Sequence, residues 1–170
     1  MKLAIGNDHV AVDMKKEIKE YLESKGIEVI DVGTNSTKRF NYPISGYKVA
    51  KMVAKQEVDA GILICGTGVG ISLAANKVQG IRACVCSEPY SAKLSKQHKQ
   101  THFFGSIVTA SADAYGRNII AFGARVIGIE TAKMIVDEWL NASYEGGRHQ
   151  TRIDMITEIE KTQTLKMGEE

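Results

Sequence analysis

Cys65 stands in the run Gly61-Ile62-Leu63-Ile64-Cys65-Gly66-Thr67-Gly68-Val69-Gly70-Ile71-Ser72-Leu73-Ala74-Ala75-Asn76, where an apolar segment meets small helix-forming residues through a glycine-rich turn. A thiol acts as base or nucleophile only as the thiolate, which is favoured where backbone amides and the positive end of a helix converge. Gly66, Gly68 and Gly70 let the backbone close on a ligand, and the amides opening the next helix face any anion held there. A buried, inert thiol in a tight strand-to-helix turn has the same local pattern, since free cysteine is among the most buried residue types. The surrounding glycines favour the functional reading.

Other polar groups have paired readings of the same kind. Asp8 and His9 follow the first apolar run and either meet a ligand or, respectively, cap a helix and sit on the surface. Thr67 lies just past the thiol. His98 closes a helical stretch, as an acid or as a cation at a helix C-terminus, His149 is a ligand contact or a surface residue, and Tyr42 lines a site or packs a turn. Arg148 and Arg152 are spaced to share a helix face, where two planar guanidinium forks suit one phosphate; the alternative is a solvated basic face.

The elements that must position these groups alternate along the chain. Residues 2–6, 28–31, 58–64, 82–86 and 119–122 read as strands, the first as an edge-to-core strand. Between them, Met14, Ile18, Tyr21 and Leu22 form one helical stripe; Val49, Met52 and Val53 mark a helix over 44–55; and residues 71–76 form a third. Ser87 caps a helix that runs to about His98, and Ala132, Ile135, Val136, Trp139 and Leu140 trace a strong stripe. From Thr151, Ile153, Ile156 and Ile159 mark a last helix expected to pack on a neighbour. Such alternation predicts an α/β fold, a Rossmann-like three-layer α/β/α sandwich with a five-stranded parallel sheet and right-handed crossovers. Ligands in such sheets sit beyond the carboxyl ends of the strands, where Asp8, His9, Cys65 and Thr67 fall.

Composition narrows the classes. The length of 170 residues suits a single domain, expected over 1–161 with a fraying tail at 162–170. A net charge of +2 without a like-charge block argues against nucleic acid or an anionic membrane as partner. No apolar run is long enough to span a bilayer, and the first residues reach polar Asn7-Asp8-His9 too soon for a signal-peptide core. The 3 cysteines lack metal-site spacing and are expected reduced, in the cytoplasm. Cys84 and Cys86 share one strand face and are expected only to pack.

Taken together, Asn7-Asp8-His9-Val10, Tyr42-Pro43, the run 62–76, Gly80-Ile81-Arg82-Ala83, Cys86-Ser87-Glu88-Pro89-Tyr90-Ser91-Ala92, Gln97-His98, Ala121-Phe122-Gly123-Ala124-Arg125-Val126 and Tyr144-Glu145-Gly146-Gly147-Arg148-His149-Gln150 resemble the type B ribose-5-phosphate isomerases. That family also holds the galactose-6-phosphate isomerase subunits. The resemblance implies aldose–ketose isomerisation of ribose 5-phosphate and ribulose 5-phosphate through a cis-enediolate, with no metal and no cofactor. It implies Cys65 as general base, His98 as ring-opening acid, and Thr67 with the turn residues Gly66, Gly68, Val69 and Gly70 around the developing oxyanion. Asp8, His9 and Tyr42 match sugar-binding positions, and Arg125, Arg148 and Arg152 match phosphate positions. A homodimer with its site across the interface, or a dimer of dimers, is implied as well.

A thiolate base near pH 7 needs about 2 kcal/mol of preferential stabilisation over an ordinary thiol. A helix terminus supplies about 0.3–1 kcal/mol, so direct hydrogen bonds from Thr67 or the turn amides must supply the rest.

The pattern departs from the family after His98, where Lys99-Gln100 replaces Asn-Asp and residues 99–117 form an insertion. That segment reads as a lid, an interface element or a tolerated excursion; either Asn118, if the insertion loops out and back, or Lys99 fills the role of the missing Asn, and His102 competes with His98 for the acid role. Competing functions are isomerisation of a six-carbon aldose phosphate (allose or galactose 6-phosphate), a non-enzymatic phosphate-binding module, and a homologue inactivated by the insertion. The glycine spacing departs from G-x-G-x-x-G, which disfavours a dinucleotide site.

Overall fold

The computed structural model describes residues 1–97, 117–143 and 148–165, with the backbone alone for 117, 118 and 148. In chain order the elements are β1 (Lys2–Asn7), α1 (Val12–Ser24), β2 (Glu28–Asp31), α2 (Tyr42–Ala54), β3 (Ala60–Cys65) and α3 (Val69–Ala75). They continue with β4 (Ile81–Val85), α4 (Pro89–Gln97), β5 (Arg117–Gly123), α5 (Ile129–Asn141) and α6 (Arg148–Thr162). All five strands are parallel, in the order β2-β1-β3-β5-β4.

The central strands are apolar on both faces because each face is covered. Leu3, Ile5, Ile62, Ile64, Ile120 and Phe122 pack with Ile18, Leu22, Ala92 and Trp139 under α1, α4 and α5. One residue along, the side chains alternate to the other face: Ala4, Leu63, Cys65, Ile119 and Ala121 pack with Val49, Val53 and Ile71 under α2 and α3. This is the three-layer α/β/α architecture expected from the alternation. Cys84 and Cys86 share the first of these cores, and the cysteines at 65, 84 and 86 form no disulfide.

Several boundaries differ from expectation for identifiable reasons. β1, expected near an edge, lies between β2 and β3, and the edges are β2 and β4. α2 begins at Tyr42 rather than 44, because Pro43 sits in the first turn, where its missing N–H needs no partner. α3 starts at Val69 and α6 at Arg148, each earlier than its apolar pattern. The cap of α4 is Glu88, not Ser87: its carboxylate accepts the amides of Tyr90 at 2.6 Å and Ser91 at 2.8 Å, as well as the Ser91 hydroxyl. Those bonds, the Ser91 hydroxyl first, hold the Glu88 carboxyl below its ordinary value. Arg117, assigned to the insertion, is the first residue of β5, and 99–116 lie outside the described residues.

Candidate active site

β1 and β3 are neighbours, yet α1 leaves β1 over one face of the sheet and α3 leaves β3 over the other. A crevice opens at the carboxyl ends of such a pair, the switch point of an open α/β sheet. The Asp8 amide donates to the Ile64 carbonyl at 3.1 Å, so the residues after β1 and the thiol after β3 meet across that crevice.

On the β3 side, Gly68 adopts a left-handed φ of 80° and its amide donates to Cys65 Sγ at 3.1 Å. Cys65 itself is only 4% exposed. The turn is clamped from β5: Ala124 N donates to the Cys65 carbonyl at 2.9 Å and Arg125 N to the Gly66 carbonyl at 3.0 Å. A Cβ on Gly68 would lie 2.9 Å from the Phe122 backbone, and one on Gly70 would lie 2.6 Å from Cζ of Tyr42. Tyr42 therefore rests directly on the turn. Thr67 is exposed, and its Oγ1 accepts the Val69 amide at 3.4 Å, leaving its own proton to donate.

On the β1 side, Asp8 is 6% exposed and its Oδ1 accepts the Val10 amide at 2.9 Å. That bond closes the turn before α1, whose N-cap is Ala11 and has no side-chain cap bond, while Asp8 Oδ2 has no bond from the described residues. The Phe40 amide donates to His9 Nδ1 at 3.2 Å. Three neighbours hold this edge: buried Asn7, which opens the Asn7-Asp8-His9 run and bonds Asp8 O at 2.8 Å and Thr34 N at 2.9 Å, and two residues the sequence did not single out, Ser45, whose hydroxyl donates to Asn7 O at 2.8 Å, and Lys15. Lys15 had left a signal, a lysine in register with Ile18 and Leu22 on the buried face of α1.

The phosphate candidates separate. Arg125 is exposed just past β5, with its side chain 3.8 Å from where a Gly66 Cβ would stand. Arg148 and Arg152 do share α6, and Arg152 is exposed. That helix lies along edge strand β4, with Arg82 Nη2 donating to Thr157 at 2.7 Å and Gly80 N to Glu160 at 2.8 Å. It runs antiparallel to β4, so its N-terminus heads toward the carboxyl edge, but β5 stands between β4 and β3. No bond among the described residues joins α6 to the Cys65 turn.

Asn118 is the placement to correct. It pairs with Arg82 near the amino end of β5, whereas Cys65 is level with Gly123. Five residues of strand put about 16 Å between their backbones along the sheet, so the Asn118 backbone lies at the amino end of the strand and not at the carboxyl edge. His98 and His102 lie outside the described residues. In the last turn of α4, Lys96 is buried over the Trp139 ring, its Nζ 5.4 Å from the centroid and donating to the Leu140 carbonyl at 3.0 Å. Burial lowers its pKa to about 8. Among the described residues there is no cluster of metal-ligating side chains, and no helix is long and apolar enough to cross a membrane.

Fold and site together define a Rossmann-like α/β domain with a hydrogen-bonded thiol at its switch point. The chain belongs to the Ribose/Galactose Isomerase family, whose model matches residues 3–156. It is 56% identical over 160 residues to ribose-5-phosphate isomerase B of Escherichia coli, covering 94% of this chain and 97% of that one. A galactose-6-phosphate isomerase subunit of Clostridium acetobutylicum is 39% identical, over 96% of this chain and 87% of its own. The structure of ribose-5-phosphate isomerase B from Clostridium thermocellum superposes with a TM-score of 0.83 at 48% identity, over 96% of this chain and 100% of that one.

Proposed function

We propose that the protein is a cytoplasmic aldose–ketose isomerase that interconverts ribose 5-phosphate and ribulose 5-phosphate. The observation that carries this is the Cys65 thiol, buried at the switch point with the Gly68 amide on its sulfur, in a chain so similar to ribose-5-phosphate isomerase B of E. coli.

In the proposed reaction, the Cys65 thiolate takes the proton from C2 of the open-chain aldose. The C–H electron pair becomes the C1=C2 bond of a cis-enediol(ate), and charge collects on O1. Cys65 returns the proton to C1 while O2 loses its own proton to O1, which leaves the carbonyl at C2. The Thr67 hydroxyl and the first-turn amide of Gly70 donate to the developing oxyanion, where fixed donors in a dry site are worth most. Asp8, His9 and Tyr42 hold sugar hydroxyls; His98 donates the proton that opens the furanose. Arg125 and the Arg148/Arg152 pair take the phosphate, the pair from a second copy of the chain, because α6 lies beside β4 and not β3. No metal or organic cofactor enters the scheme.

The relation to a galactose-6-phosphate isomerase subunit favours a six-carbon aldose phosphate as a second reading. Turnover of ribose 5-phosphate and of allose and galactose 6-phosphates, by wild type and Cys65→Ala, tests both. Wild type is expected to prefer the pentose, and Cys65→Ala to lose at least about a thousandfold in kcat with its fold intact. Failure of wild type to turn over any sugar phosphate overturns the enzyme reading, and undiminished turnover by Cys65→Ala overturns the base assignment.

A further inference from the structure

Lys15 is 1% exposed, among the largest side chains sealed in the interior, and shares the buried face of α1 with Ile18 and Leu22. Burying an ammonium costs several kcal/mol unless it is paired and fully hydrogen-bonded. Here its three protons have three oxygens: Asp31 Oδ2 at 2.6 Å, the Thr34 carbonyl at 3.0 Å and Asn35 Oδ1 at 2.5 Å. All three acceptors belong to the end of β2 and the loop that follows it, residues 32–41, which crosses from β2 to Tyr42 at the head of α2. The lysine is thus a tether for that loop.

The loop ends on the site. Beyond Thr34, residues 35–39 are exposed. Before them the loop is pinned by Lys15 and by Asn7, whose Oδ1 accepts the Thr34 amide at 2.9 Å. After them, Phe40 presents both its amide, at 3.2 Å, and its carbonyl, at 3.3 Å, to His9 Nδ1. These two partners demand opposite states of the ring. An amide only donates, so it requires a bare Nδ1 and puts the neutral imidazole's proton on Nε2; a carbonyl only accepts and requires the proton on Nδ1. The choice turns on the placement of the loop at Phe40.

We propose that Lys15 is a positioning residue for this site: through the loop 32–41 it seats the Phe40 amide on His9 Nδ1 and so makes His9 Nε2 a hydrogen-bond donor toward the sugar. A ligand oxygen at Nε2 then meets an N–H. With the tether in place the carbonyl already stands 3.3 Å from Nδ1, beside the amide at 3.2 Å; without it the carbonyl displaces the amide in part of the population, and Nε2 there becomes an acceptor. The kinetic consequence rests on the sugar-phosphate reading of the site; the tautomer does not.

Two measurements on the full chain test it. Long-range nitrogen–proton NMR of the imidazoles, at a pH where His9 is neutral and with His9 assigned by its loss in His9→Asn, reports the tautomer directly. Wild type is expected as Nε2–H, and Lys15→Met as a mixture with Nδ1–H, with KM for ribose 5-phosphate raised about tenfold and kcat within about threefold. Asn35→Ala removes one exposed acceptor and leaves the Lys15–Asp31 pair, so it keeps the test open if Lys15→Met does not fold; it is expected to shift the tautomer in the same direction by less. A wild-type His9 carrying its proton on Nδ1, or an unchanged tautomer in every folded variant, overturns the proposal. Absence of isomerase activity in wild type would sink the proposed function while leaving the tautomer measurement decisive for this inference.

Discussion

Gly68 and Gly70 flank the same thiol but resist substitution for different reasons. At Gly68 the left-handed φ of 80° costs an alanine about 1–2 kcal/mol by itself. Its Cβ would also press on the Phe122 backbone at 2.9 Å, which cannot swing away. Gly68→Ala is therefore expected to destabilise the protein by at least that amount in urea unfolding and, by displacing the amide from Cys65 Sγ, to lower kcat. Gly70→Ala meets a Tyr42 ring that is 41% exposed and free to move outward. The expected outcome is a raised KM for the sugar phosphate with unfolding almost unchanged, and a loss of stability as large as that of Gly68→Ala would contradict it. The glycine turn that carries Cys65 and Thr67 was legible at this scale because a turn's conformation is local. The His9 tautomer was not, because it depends on Phe40, distant in sequence.

Between elements, α4 and α5 meet through Lys96, which lies over Trp139 and bonds the Leu140 carbonyl. Folding lowers its pKa from 10.5 to about 8, so between those values the unfolded chain binds the proton and the folded chain does not. Stability conferred through this group therefore rises with pH across that window and is flat below it. The thermal midpoint of wild type relative to Lys96→Met is expected to climb from pH 8 to 10.5; a parallel pair of curves would show that the ammonium keeps its proton in the fold. Helical stripes made α1 and α5 legible, since period is a local property. The first residue of α2, the cap of α4 and the interior position of β1 depended on competing turn chemistry and on strand order, which no stripe encodes.

At the scale of the molecule, α6 runs along the outer edge strand with Met155, Ile156 and Ile159 at 40%, 45% and 42% exposure. α3 and α2 likewise expose Val69, Leu73 and Tyr47 on the face that carries the Cys65 turn. In the proposed site, the α6 arginine pair comes from a second copy of the chain. Mixing two inactive variants, Cys65→Ala and Arg152→Ala, and letting subunits exchange checks this. A shared site restores about a quarter of wild-type activity, since half the dimers are mixed and each has one intact site. A site built within one chain restores none.

The sequence by itself determined the α/β class, the identity of the strand–turn–helix around Cys65, and the family, because hydrophobic period, glycine chemistry and a distributed set of motifs are written in consecutive residues. Only the tertiary structure decided that β1 and β3 lie side by side with their helices on opposite faces, and hence where the crevice opens. It also decided that Asn118 stands at the wrong end of its strand, and that Lys15 is a buried tether rather than a solvated lysine. Register, strand order and the partners of a buried charge arise from segments far apart in the chain, and their energies exist only once those segments are packed.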